Sequence, residues 1–179
     1  MEKKFTKIKE EYDNFIKSML EEGKLPYKVT SKGIWGISVC DEIFEVFKRM
    51  ELQNYKNFLD IGSGDGRVVA IASLFTKAHG IEIDPELHNK ALEIKEKLKL
   101  NKAEFMQKDF FEHDLSDYDV VFSFSDTALH RGLEQKLKNE LKGKLMLAGP
   151  QIYPVKLNKV IEFRNFGHPI GIYENTISK

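Results

Sequence analysis

Three glycines stand at every second position in Gly62-Ser63-Gly64-Asp65-Gly66, with Asp60 just ahead and the apolar run Val68-Val69-Ala70-Ile71-Ala72 behind. A chain this bare lets a ligand touch the backbone and permits positive φ, and a helix opening behind it offers free N–H groups and the positive end of its dipole. Two further acidic marks follow short apolar segments: Glu82 in HGIEID and Asp109 in QKDFFE. A carboxylate at the first can accept hydrogen bonds from a ribose diol, and one at the second from an exocyclic amine, with Phe110 against a purine ring. Dinucleotide sites usually carry G-x-G-x-x-G; here the spacing is one residue shorter, and no phosphate-loop Lys-Ser/Thr follows.

The elements around these residues alternate. Apolar segments FLDI, AHGIEI, AEFMQ, DVVFSF and KLMLAG are interleaved with helical stretches expected at about 66–75, 85–100 and 127–141. Buried strands separated by helices imply a parallel α/β sheet with helices on both faces, whose ligands lie at the carboxyl ends of the strands. LNKVIEFRN and GIYENTIS, joined by FGHPI, read as an antiparallel hairpin at the sheet edge. Residues 2–22 space Phe5, Ile8, Tyr12, Phe15, Ile16, Met19 and Leu20 at helical intervals, ending at Gly23. This divides the chain into an N-terminal helical extension, 1–30, and a domain of 31–179. Residues 28–38 read as a loop or short strand around Trp35, and Ser38 as the N-cap of a helix running to about Leu52.

With 28 basic and 28 acidic residues, the chain shows no overall charge that would draw it to nucleic acid. One cysteine, Cys40, excludes an internal disulfide and fits a cytoplasmic setting. No apolar run is long enough for a membrane span. The five histidines, His79, His88, His113, His130 and His168, lack metal-ligand spacing, so no metal is expected.

Taken together, LDIGSGDG, GIEID and KDFF on consecutive strand ends resemble the class I S-adenosylmethionine-dependent methyltransferases over roughly residues 50–177. The resemblance implies a Rossmann-like fold of seven strands in the order 3-2-1-4-5-7-6. It also implies S-adenosyl-L-methionine as cofactor, held by Asp60, Ile61, Gly62, Ser63, Gly64, Gly66, Glu82, Ile83, Asp109, Phe110 and Ser123. Gly62 and Gly64 would lie at the methionine end, Asp60 near its amino group, Glu82 on the ribose and Asp109 with Phe110 at the adenine. Asp84, just before Pro85, reads instead as a helix cap.

The acceptor side is less marked. The Asn/Asp-Pro-Pro-Tyr signature of nucleic-acid amino-methyltransferases is absent from SFSDTALH, and Cys40 lies far upstream of where a pyrimidine methyltransferase needs its nucleophile. The run DVVFSFSDTALHRGLEQKLKNELKGKLMLAG and the closing GIYENT resemble the small archaeal-type protein lysine methyltransferases and their mitochondrial relatives. That resemblance implies a protein lysine as acceptor, by in-line displacement, in a monomer or homodimer. The candidates for the acceptor side are Trp35, Ser125, Asp126 and Tyr153. The family's Pro-Thr-Pro is here Gly36-Ile37-Ser38. A small-molecule or RNA acceptor, and a cofactor-binding subunit without catalysis, are the alternatives.

Overall fold

The computed structural model describes residues 1–31, 33–124, 132–149 and 153–175. A small hairpin of β1 (Tyr27–Val29) and β2 (Ile34–Gly36) precedes the main sheet. That sheet comprises β3 (Asn57–Ile61), β4 (Lys77–Glu82), β5 (Ala103–Gln107), β6 (Val120–Phe124), β7 (Lys144–Ala148), β8 (Asn158–Asn165) and β9 (His168–Glu174). Its order is β5-β4-β3-β6-β7-β9-β8, parallel from β5 to β7, with β9 antiparallel to both β7 and β8. Numbered within the sheet alone, this is the expected order 3-2-1-4-5-7-6. The reversal between β3→β4 and β3→β6 opens a crevice at the end of β3, where Asp60 and the glycines stand.

The helices are α1 (Glu2–Glu21), α2 (Cys40–Arg49), α3 (Arg67–Ala72), α4 (Pro85–Leu98) and α5 (Leu133–Glu140). Residues of α1 to α4 share one core with Phe58 and Phe122 from the sheet; Leu133, Leu137 and Leu141, from α5 and just beyond, cover the other face with Leu59 and Val121. An aromatic chain runs beneath the crevice: Phe47 lies edge-on to Phe58 at 5.2 Å and to Phe122 at 6.1 Å. Burying each such ring is worth about 1.5–3 kcal/mol.

Local differences from the sequence reading have physical reasons. In α1, Phe5, Ile8 and Tyr12 are buried, but Leu20 is exposed, because the last turns of the helix run past the core. Val39, not Ser38, is the N-cap of α2; Ser38 is buried, with its carbonyl turned to Arg67. The helix stops at Arg49 because Glu51 adopts a left-handed conformation, and Leu52 belongs to a separate 3₁₀ turn. The expected start of the fifth helix at Thr127 lies outside the described residues. At the terminal hairpin the turn is only Phe166 and Gly167, both at positive φ (48° and 90°), and His168, Pro169 and Ile170 belong to β9. Two central residues of this kind match the twist of the flanking strands, so a longer loop is not needed.

Candidate functional site

The three glycines of the turn meet three different demands. Gly62, at φ +75°, is exposed, and a Cβ there would meet nothing within 4 Å, so the backbone stands open to the crevice. Gly64, at φ +55°, lies under Trp35, whose Cδ1 would be 2.3 Å from an added Cβ. Gly66, at φ +81°, is pressed on α4 and β5, where a Cβ would fall 2.6 Å from Ala91 Cβ and 2.7 Å from the Phe105 ring.

Glu82, buried at the end of β4, clamps this turn. Its Oε2 accepts from Gly64 N–H at 2.8 Å, and its Oε1 from the N–H groups of Ile83 and Asp84, each at 2.8 Å. Charge-assisted bonds of this type are about twice as strong as neutral ones, and Oε2, with one bond, keeps acceptor capacity for a further donor. Asp84 caps α4 by accepting from Glu86 and Leu87 N–H, as its place before Pro85 implies, and also pairs with Lys28 of β1 at 2.9 Å.

Asp60 is 3% exposed and faces a cavity of about 170 Å³. Among the described residues no group donates to its carboxylate. Burial, reinforced by the nearby Glu82 and Asp65, pushes its carboxyl well above the usual range. This favours the neutral carboxyl in the empty site, and a cation arriving beside it would restore the ionised, acceptor-only carboxylate. The cavity is walled by Ile34, Trp35, Ile37, Ser38, Phe122 and Phe124, with Gly62 and Ser63 from the turn. A carboxylate at one wall and aromatic rings on the others suit a small cationic group.

Asp65 and Arg67 also line this cavity, and the sequence reading passed over both. Arg67 Nε donates to Asp65 Oδ1 at 3.1 Å and Oδ2 at 3.0 Å, and its NH1 donates to the Ser38 carbonyl at 3.2 Å. Burial works against the Arg67 charge, but the Asp65 carboxylate outweighs it and the guanidinium is raised above its ordinary value. The signal was in the sequence: opposite charges two residues apart around a glycine at a helix start.

The remaining expected residues are placed as follows. Ser63 is buried with its hydroxyl beside Gly80, where an added Cβ would lie 2.7 Å away, and among the described residues that hydroxyl has no partner. Ile61 packs in the core with Leu59, and Ile83 is half-buried beside the Glu82 clamp. Asp109 caps a 3₁₀ turn, accepting from Phe111 N–H at 3.0 Å; Phe110 is half-buried, its ring 4.6 Å from Phe111. Lys108 N–H donates to the Glu82 carbonyl, so the β4 and β5 ends stand side by side. Ser123 is buried between Phe122 and Phe124 in sequence, and pleating turns it to the face opposite the cavity they line. Trp35 is part of the cavity wall. Tyr153, half-exposed, is elsewhere, with Lys159 Nζ 5.3 Å from its ring centre. Ser125 and Asp126 lie outside the described residues. Cys40 is buried, which pushes its thiol up to about 11, and His113 is held by Tyr118 at 2.9 Å. No metal-binding group of His, Cys, Asp or Glu occurs among the described residues.

A seven-stranded sheet of this order, with a glycine turn after its first strand and a clamped carboxylate after its second, is the class I methyltransferase fold. The model of the ANTKMT methyltransferase domain matches residues 60–148. A protein-lysine N-methyltransferase from Saccharolobus islandicus (strain REY15A) is 38% identical over 87 residues, covering 46% of this chain and 54% of that protein, so the match spans about half of its length. Among solved structures, an RNA methyltransferase from Salinibacter ruber in complex with S-adenosyl-L-homocysteine superposes with a TM-score of 0.65. It is 22% identical, over 80% of this chain and 97% of that one. The mitomycin 7-O-methyltransferase MmcR superposes at 0.66 with 14% identity, over 76% and 53%. The resemblance to class I S-adenosylmethionine-dependent methyltransferases, and within them to the protein lysine methyltransferases, is thus borne out.

Proposed function

We propose that this protein is an S-adenosyl-L-methionine-dependent methyltransferase whose acceptor is a lysine amine of a protein. The observation that carries the proposal is the pairing of the Asp60 carboxyl, without a donor among the described residues, with the open backbone of Gly62 in one small cavity, beside the Glu82 clamp. The open backbone at Gly62 and the free acceptor at Asp60 fit the ammonium end of the cofactor. The spare acceptor capacity of Glu82 Oε2 fits a ribose hydroxyl, and Asp109 with Phe110 fits its adenine. When bound, S-adenosyl-L-methionine supplies a methyl group already activated on a sulfonium.

What remains for the chain is to orient and to exclude water, which contributes several kcal/mol in such reactions. Trp35, Ile37, Phe122 and Phe124 supply apolar walls. An ammonium entering such walls loses solvation, which lowers its pKa from about 10.4 and favours the neutral nucleophile. Ser125, Asp126 and Tyr153 remain candidates for the acceptor side. The lysine acceptor is supported by the likeness to the Saccharolobus enzyme and by the sequence pattern from β6 onward. Cytoplasmic location and a monomeric or dimeric state accompany this reading; no helix among the described residues is long and apolar enough to cross a membrane.

The test supplies labelled S-adenosyl-L-methionine and a cell extract to the purified protein, followed by protease or nuclease. Label on protein, resolved to lysine by hydrolysis and chromatography, is the expected result. Label lost to nuclease and retained after protease overturns the lysine reading in favour of RNA. Tight cofactor binding without transfer to any fraction favours a non-catalytic binding subunit.

A further inference from the structure

Among the described residues, no backbone N–H bonds the Asp65 carbonyl of the glycine turn. Gly64 N–H is held by Glu82 and Gly66 N–H donates to the Ser63 carbonyl at 2.9 Å, so within the turn the Asp65–Gly66 peptide is anchored from its N–H side. The Asp65 carbonyl also stands just outside the ladder of α3, whose first bond runs from Ala70 N–H to the Gly66 carbonyl. Its partner comes instead from the other end of the fold. Tyr12, on α1 and 0% exposed, donates its hydroxyl to the Asp65 carbonyl at 3.1 Å. The same ring lies under the Arg67 guanidinium, 4.9 Å from Cζ to centroid. Arg67 in turn holds the Asp65 carboxylate and the Ser38 carbonyl.

We infer that Tyr12 is a positioning residue for the cofactor site, fixing the Asp65 peptide and, through Arg67, the wall formed by Ser38. One side chain of α1 thereby sets two walls of the cavity, the glycine turn and the segment leading into α2. Helix α1 is a working part of the binding site and not only a cover for the core. The inference rests on the methyl-donor reading only for its ligand-binding consequence; its effect on the turn is independent of any ligand.

The decisive variant is Tyr12→Phe, which keeps the buried ring and its contact with Arg67 and removes only the hydroxyl. Ile8→Val is the control: Ile8, buried one turn earlier on the same helix, faces Ser73 and Leu74 at the far end of α3 and Leu98 of α4, away from the glycine turn. The experiment compares amide hydrogen exchange across residues 62–67 without ligand, and S-adenosyl-L-homocysteine affinity by calorimetry, with Tm measured for each variant. Tyr12→Phe is expected to speed exchange in the turn about tenfold and to weaken binding about tenfold, the size of one lost hydrogen bond. Ile8→Val is expected to lower Tm while leaving both unchanged. Exchange at the wild-type rate in Tyr12→Phe overturns the inference, as does an equal loss of affinity in the two variants at matched Tm. If the wild-type protein binds no S-adenosyl-L-homocysteine, the methyl-donor reading falls, and the exchange rates still decide the role of Tyr12.

Discussion

The two ends of the crevice are built by different means. At the β3–β4–β5 end, the groups are held by bonds from carboxylates to backbone N–H groups, mostly of neighbours in sequence: Glu82 grips Ile83 and Asp84 beside it and Gly64 on the adjoining turn, and Asp109 caps the turn beginning at Phe110. At the β6–β7 end, the cavity wall is assembled from side chains far apart in the chain, with Trp35 from the small hairpin, Ser38 ahead of α2 and Phe124 from β6. The first kind of site is fixed by local geometry and charge. The second depends on how separate elements pack, which leaves room for acceptors to differ while the donor end stays the same.

That contrast can be broken most severely at Glu82. Glu82→Ala strips the acceptor from three backbone N–H groups, at about 1–3 kcal/mol for each that stays buried and unsatisfied. Thermal unfolding should move down by roughly 10 °C, taking about 2–4 °C per kcal/mol for a chain of this size. Cofactor-induced stabilisation should vanish as well. A variant with unchanged Tm and intact cofactor response would remove the clamp from the account.

Asp60→Asn should separate binding from stability. The folded protein holds this carboxyl well above its unfolded value, through burial and then Glu82 and Asp65, so ionising it costs stability as pH rises from the unfolded pKa toward the folded one. Removing the charge should raise Tm at neutral pH and weaken cofactor binding by about 10–100-fold, one to two lost charge-assisted bonds. In the wild type a bound ammonium favours the ionised carboxyl. Binding should release a proton, and affinity should climb with pH until Asp60 ionises in the free protein. Calorimetry in buffers of different ionisation enthalpy measures that proton; uptake in place of release contradicts the assignment.

Trp35→Ala should have an intermediate effect. The indole rests on Gly64 and walls the cavity, and it is the single tryptophan of the chain, so wild-type fluorescence is expected to change on titration with S-adenosyl-L-homocysteine. The alanine variant should bind the cofactor a few fold to tenfold more weakly and lose more in turnover than in affinity, since it strips the cavity of an apolar wall. An equal loss in both would make the residue a cofactor cover alone. Tyr153→Ala should have the smallest effect: half-exposed and outside the cavity, it should change Tm by no more than about 0.5 kcal/mol equivalent and leave cofactor affinity unchanged. A large change in affinity would tie the two ends of the crevice together and end the contrast.

Legibility followed the same division. The glycine spacing, the acidic strand ends and the Asp84 cap could be read because each depends on interactions within a few residues or on strand alternation. The strand order came with the family pattern. Ser38 was misread as a helix cap because its carbonyl answers to Arg67, 29 residues on, and no local rule anticipates that. Asp65 and Arg67 were visible as residues but not as a pair, since only the folded turn brings a charge two positions away into bidentate reach.

By itself, then, the sequence determined the alternation of strands and helices, the bare turn and the positions of its carboxylates, all consequences of backbone sterics and short-range hydrogen bonding. Only the tertiary structure decided that Gly62 is open while Gly64 is covered by Trp35, that Asp60 has no donor among the described residues, and that Tyr12 closes the network around Asp65. Those features are contacts between segments far apart in the chain, and their energies appear only once the core has packed and excluded water.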